Sequence, residues 1–225
     1  MTILNTGALA CVVLTACGGM ISNTTDASTD GPASLEAQPD TAADAPCSSA
    51  TNTQPAPVPL SSGGSCGATT EPIESWSLGG SAPGQYQSDF DSSTSCNGGP
   101  SLHLMSSTAS SSDFGEMGTG KAPDASWIGH RLRLSGWVLS DAISGWAGLW
   151  LRVDSGQMTG IAFDNMECRA ISGTTGWAQY EVVVDVATDA TTVAYGILLA
   201  GQGNVWLDGV TVDVVDACVP TTGCP

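Results

Sequence analysis

From about residue 67 onward, hydrophobic positions fall in short runs separated by clusters of Gly, Ser, Asp and Asn. These runs read as strands near residues 84–90, 101–106, 131–139, 146–153, 160–163, 178–186, 192–199 and 204–215. None of them sustains a helical period, and no repeat of solenoid length is present. Short strands with turn signals between them predict an all-β fold, a two-sheet antiparallel β-sandwich of the jelly-roll kind.

Two of the runs carry a sharper pattern. In Arg131–Val138 one parity holds Leu132, Leu134 and Val138, and the other holds Arg131, Arg133, Ser135 and Trp137. In Trp146–Val153, Ala147, Leu149, Leu151 and Val153 alternate with Trp146, Gly148, Trp150 and Arg152. Successive side chains of a strand point to opposite faces, so the aliphatic rows should enter the core and the Trp and Arg rows should face away from it. If the two runs pair through a turn at Ser140–Gly145, then Trp137, Trp146 and Trp150 project from one sheet face beside Arg133 and Arg152. Asp164 and Asn165 follow on the next turn. Flat aromatic rings can stack on the apolar face of a sugar while Arg, Asp and Asn hydrogen-bond its hydroxyls. The same residues also suit a purely structural role, with the Trp covering the sandwich and the Arg paired with Glu181, Asp185 or Asp164. The sequence leaves both open.

Composition divides the chain. Residues 18–65 are rich in Ser, Thr, Ala, Asp, Pro and Gly and contain neither an aromatic residue nor a base. Such a stretch cannot bury enough apolar surface to offset the entropy of ordering, which predicts a disordered tether over 17–65. All seven Trp fall between Trp76 and Trp206, placing one folded domain at 66–217 with a Cys-containing tail at 218–225. Residues 1–16 are uncharged and contain a short apolar run that suits a signal peptide. Leu14-Thr15-Ala16-Cys17-Gly18 follows the pattern of a bacterial lipobox, which would make Cys17 the lipidated residue. The expected location is therefore the bacterial cell envelope, lipid-anchored, with the outer membrane favoured.

Charge and cysteine content narrow the partners. With 22 acids against five bases the chain carries a formal charge of −17. That field repels phosphate backbones and anionic lipid, which excludes nucleic acid and leaves the lipid anchor as the sole membrane contact. A monomer is expected. Setting aside Cys11 and Cys17, six cysteines remain: Cys47, Cys66, Cys96, Cys168, Cys218 and Cys224. An even number in an exported chain predicts disulfides. Cys96 with Cys168 is the favoured single pairing, and Cys218 and Cys224 are near enough in sequence to close a small loop.

Catalytic signatures are missing from the sequence. The two histidines, His103 and His130, lie in no H-E-x-x-H motif, and there is no G-x-S-x-G elbow. His103 reads as a strand residue on the less buried face and His130 as a turn residue. Asp113, Glu116 and Asp124 read as solvated loop charges.

The stretches RLRLSGWV (131–138), GWAGLWLRVD (145–154), IAFDNM (161–166), GTTGWAQYEVVVDV (173–186) and GILLAGQGNVWLDGVTVDVV (196–215) carry a resemblance. Over about 76–215 the chain resembles bacterial accessory domains of the galactose-binding-like jelly-roll class, related in shape to carbohydrate-binding modules. The resemblance implies a jelly roll and a non-catalytic role but names no ligand. It also implies a structural Ca²⁺ as the one candidate cofactor, with Glu74 and Asp208 as candidate ligands by position. The sequence departs from the class in its opening, TTEPIESW, and in the added Cys96 and Cys168. The expectation is a non-catalytic, surface-anchored binding module with a glycan as candidate partner. The alternative is a structural or adhesive envelope lipoprotein acting through contacts with other envelope proteins.

Overall fold

The computed structural model describes residues 54–110 and 112–225. The signal peptide, Cys17 and most of the tether lie outside the described residues. Helical structure among the described residues is confined to three-residue 3-10 turns, at Ile73–Ser75, Pro83–Gln85 and Glu167–Arg169. The rest of the architecture is strand and loop.

Ten strands follow in order: β1 Val58–Pro59, β2 Ser77–Gly80, β3 Gln87–Asp91, β4 Ser101–Ser106, β5 Phe114–Lys121, β6 Arg131–Ser155, β7 Ala162–Asp164, β8 Ile171–Asp185, β9 Ala190–Ala200 and β10 Gly203–Val215. Every pairing among them is antiparallel. The predicted two-layer sandwich is present, and β6 belongs to both layers. Its first half pairs with β10 and β8, extending one layer through β4 and β3 on one side and β1 on the other. Its second half pairs with β9 and β7, extending the other layer through β5 and β2.

This corrects the expected hairpin. Residues 131–139 and 146–153 are not two strands folded against each other through Ser140–Gly145. They are one 25-residue strand that changes layer. The change is made where the register with β8 shifts, between Val138 and Ser140, Ser140 and Ile143, and Ile143 and Ala147. Extra unpaired residues at such irregularities bend a strand and raise its twist. Ala142 takes a left-handed φ of 55° inside this bend.

The alternation itself is as expected. Leu132, Leu134 and Val138 from the first half, and Ala147, Leu149, Leu151 and Val153 from the second, join one buried cluster. Val193, Tyr195, Ile197 and Leu199 of β9 enter it from one layer, and Leu102, Leu104, Val205 and Leu207 of β4 and β10 from the other. Tyr195 lies wholly inside this core and its hydroxyl donates to Glu71. Burial, chiefly, and the neighbouring carboxylate push the phenol well above the usual tyrosine range.

Three segments differ from expectation. Phe114–Lys121 forms a central strand although FGEMGTGK has almost no apolar alternation to announce it. Ser77–Gly80 pairs with it. Val58–Pro59 pairs with β8, so the domain's first strand lies inside the stretch whose composition suggests tether. The cysteines also pair differently: Cys96 bonds to Cys66 and Cys168 to Cys224, not to each other. Cys218 is disulfide-bonded as well. Cys66–Cys96 fastens the loop before β4 to the domain's entry. Cys168–Cys224 ties the C-terminal tail to the turn after β7.

Candidate functional site

The outward row of β6 is split by its change of layer. Arg133 and Trp137 emerge from one sheet, whereas Trp146, Trp150 and Arg152 emerge from the other, so the five do not share a face. Trp137 stands opposite Asp208 and Gln179. Its ring reaches the neighbourhood of Gly209, where the Gly67 carbonyl and Cys66 also converge. Arg133 faces Glu181 at 3.8 Å. Trp137 is therefore engaged in packing, whereas Arg133 has this one ion pair and its Nε is buried without a hydrogen-bond partner.

The outer face of the second layer is different. Strand register lays it out as rows across β5, β9 and β6: Phe114, Ala200 and Trp146; Glu116, Leu198 and Gly148; Gly118, Gly196 and Trp150. Trp150, Ala194 and Leu198 form a small buried cluster separate from the main core, with Trp146 packed against it. Glycine makes room for the indole of Trp150. A Cβ on Gly118 would lie 2.5 Å from Trp150 Cζ2, whereas one on Gly196 would strike the β5 backbone, 2.1 Å from the Met117 carbonyl oxygen. Trp150 is thus sunk into the face, while Trp146 stays half-exposed beside it.

A cavity of about 330 Å³ opens over this surface. Its apolar wall comes from Trp146, Trp150, Phe114 and Phe163, and its polar groups from Glu116, Arg152 and Asn165. Glu116 is half-buried and its carboxyl is pushed up from the ordinary glutamate range by desolvation, with Arg152 opposing the shift. Arg152 is held in place by Asp154, with Nε 3.0 Å from Oδ1 and Nη2 3.1 Å from Oδ2. The indole N–H of Trp150 is buried with no hydrogen-bond partner. A buried donor left unpaired carries a desolvation penalty, and such groups are uncommon.

Of the other candidate residues, Asn165 joins the cavity and the rest fall elsewhere. The Asn165 Oδ1 accepts from the Glu167 N–H at 3.1 Å. Asp164, grouped with it from sequence, is buried and serves the fold instead. Arg169 Nη2 lies 2.7 Å from its Oδ2, and the Met166 N–H lies 2.8 Å from its Oδ1. Asp208 is fully buried and accepts from the backbone N–H groups of Cys96, Asn97 and Gly209. Among the described residues, the acidic, His and Cys groups converging on Asp208 are Cys66 and Cys96, which are bonded to each other. Glu74 is exposed on the 3-10 turn Ile73–Ser75 and does not join that group. The carboxylate of Asp208 is therefore satisfied by the loop it organises. His103 is stacked on Trp206 at 4.4 Å and hydrogen-bonded to Asp89 and Asn204.

Sequence reasoning does not find Glu116, Phe114 or Phe163 as cavity residues. Glu116 reads as a loop charge because β5 is glycine-rich. The available signal is the spacing Phe114, Glu116, Gly118 and its register with Leu198, visible once β5 is known to be a strand.

No family model matches the chain. It is 36% identical over 152 residues to a Bacillus subtilis (strain 168) protein named as an uncharacterized HTH-type transcriptional regulator, YbfP. That match covers 67% of this chain and 51% of the other, so the chain spans about half the length of the curated relative. Among solved structures, the CBM22-1–GH10 modules of Clostridium thermocellum xylanase 10B, complexed with xylohexaose, are similar at a TM-score of 0.50 and 14% identity. The match covers 67% of this chain and 28% of that one. The CBM22-1 xylan-binding domain of Paenibacillus barcinonensis Xyn10C gives a TM-score of 0.45 at 18% identity, over 67% of this chain and 90% of that domain. The likeness to the xylanase modules is one of fold: both contain a β-sandwich.

Proposed function

We propose that the domain is a non-catalytic carbohydrate-binding module whose ligand occupies the cavity beside Trp146. The observation that carries this reading is the cavity's composition. Indole and phenyl faces lie next to a carboxylate, a guanidinium and an amide, which matches a pyranose ring with its apolar C–H face and its rim of hydroxyls. The sandwich fold of the xylanase modules is consistent with the same class of ligand, since their structure holds xylohexaose.

The polar set supports binding over hydrolysis. Glycosidases generally need two carboxyl groups about 5–9 Å apart across the scissile bond. The cavity lining offers one carboxylate, Glu116. Asp154 is engaged by Arg152. Export is the setting this proposal assumes, because disulfides persist in oxidising compartments. Cys17 would then anchor the chain to the envelope and the tether would hold the module away from the membrane.

The test is a glycan screen by isothermal titration on the full chain, with xylohexaose and β-1,4-galactotriose in the panel. Saturable binding by the parent, reduced about tenfold or more in Trp146→Ala with an unchanged melting curve, is the expected result. A parent that binds no member of a broad panel overturns the reading.

A further inference from the structure

The cavity's outer wall is built from the least supported strand in its layer. β7 has three residues and pairs with β6 along one side. It nevertheless carries Phe163, which is about half exposed, and leads directly into Asn165. Something other than sheet pairing must fix these two side chains.

The turn after β7 is held from below and from the side. Met166 takes a left-handed φ of 64° and is fully buried. Its sulfur accepts the Leu149 N–H at 3.2 Å. The turn rests on Gly148, where a Cβ would come within 2.7 Å of the Asn165 carbonyl oxygen. Asp164, with its side chain 2% exposed, is paired with Arg169, 11% exposed. A buried pair of this kind is costly to break, because the partner left behind is an uncompensated charge.

The C-terminal segment completes the arrangement. The Thr222 hydroxyl donates to Asp164 Oδ2 and accepts the Val183 N–H at 2.8 Å. The Thr222 N–H donates to the Val183 carbonyl at 2.9 Å. Two residues later Cys224 is bonded to Cys168, inside the 3-10 turn that follows Asn165. One residue of the tail thus bridges the edge of β8 and the carboxylate that ends β7.

We propose that the C-terminal segment is a positioning strap which, through Thr222 on Asp164 and the Cys168–Cys224 bond, holds the Phe163–Asn165 wall of the cavity in its ligand-ready place. Neither Thr222 nor Cys224 lines the cavity, so they act through Asp164 and Cys168. The ligand consequence rests on the carbohydrate reading above, whereas the mechanical claim does not.

The experiment uses the full chain in three forms: Thr222→Val, which keeps shape and loses the hydroxyl, Thr222→Ser, which keeps the hydroxyl, and Cys168→Ser/Cys224→Ser. Hydrogen exchange by mass spectrometry reads the wall at residues 161–170, with β9 as internal reference. Binding is read with the tightest glycan of the panel. Exchange at 161–170 should rise about tenfold in Thr222→Val and more in the double variant, with β9 unchanged and affinity falling about tenfold. Thr222→Ser should restore both. Unchanged exchange in Thr222→Val and in the double variant overturns the strap, and so does a loosened wall that binds the glycan as tightly as the parent. If the parent binds no glycan, the carbohydrate reading fails and exchange alone decides the strap.

Discussion

The two halves of β6 carry nearly the same sequence pattern and meet different fates. Each alternates aliphatic residues with aromatic and arginine residues, and each sends its aliphatic row into the shared core. In the first half the outward row meets neighbouring charges and loops, with Arg133 still 35% exposed. Arg131 Nε donates to Asp185 at 2.8 Å, and its Nη1 donates to the Ala217 and Val219 carbonyls of the tail. Arg133 faces Glu181, and Trp137 is crowded by the loop at Cys66 and Gly67. In the second half the Asn165–Met166 turn lies over Gly148 and Trp150 is buried, but a cavity opens beside them, with Trp146 half-exposed at its edge. Alternation decides which side of a sheet a residue takes. Whether that side is covered is decided by loops and tails far away in sequence.

The largest expected effect tests what the halves share. Leu134→Ala and Leu149→Ala, one from each half and both fully buried, should each cost about 2–5 kcal/mol by urea denaturation. A near-neutral result for either would show that its half does not contribute to the common core.

Next in size is the glycine slot that sinks Trp150. Gly118→Ala places a Cβ 2.5 Å from the indole and 2.6 Å from the Tyr195 carbonyl oxygen. Overpacking of this kind costs about 1–3 kcal/mol. On the same strand, Gly120→Ala meets its nearest neighbour at 3.5 Å and should leave the melting temperature nearly unchanged. Equal behaviour of the two would remove the slot.

Ligand binding should separate the halves outright. Trp146→Ala should lose about tenfold in glycan affinity, or about 1.4 kcal/mol, while Trp137→Ala should remain within about twofold. Titration calorimetry on the two variants reverses the assignment if Trp137 proves to be the sensitive one.

The smallest effect concerns Glu116. Desolvation raises its folded carboxyl pKa above the unfolded one, so the ionised group costs stability above the folded pKa. That cost fades as pH falls through the folded value and is absent below the unfolded value. Glu116→Gln should therefore stabilise the protein at pH 7, by about 0.5 kcal/mol once solvent screening at a half-exposed site is allowed for. The gain should disappear well below the unfolded carboxyl pKa of about 4.3. A gain that persists at low pH would assign it to something other than charge.

Much of the fold is legible in the sequence because period-2 alternation is a local property. The aliphatic rows of β6 and the strands Ser101–Ser106, Ala190–Ala200 and Gly203–Val215 are each visible as short β-type runs. β5 is not, since glycines at 115, 118 and 120 leave no apolar row to count. Two of those glycines become intelligible only beside Trp150 and Tyr86, whose rings occupy the space a Cβ would fill at 118 and 115. The disulfide pairing is equally hidden, because pairing requires two Cβ atoms to approach, and separations of 30 and 56 residues say nothing about that approach.

Fold class, inward rows and net negative charge follow from alternation and composition summed along the chain. Only three-dimensional packing makes β6 one bent strand, sets Trp146 and Trp150 rather than Trp137 beside the cavity, and turns Glu116 rather than Asp164 toward it. The physical reason is range. Alternation is imposed by each residue's own backbone geometry, whereas exposure is imposed by whichever distant segment, here the C-terminal tail and the Cys66 loop, comes to lie on top.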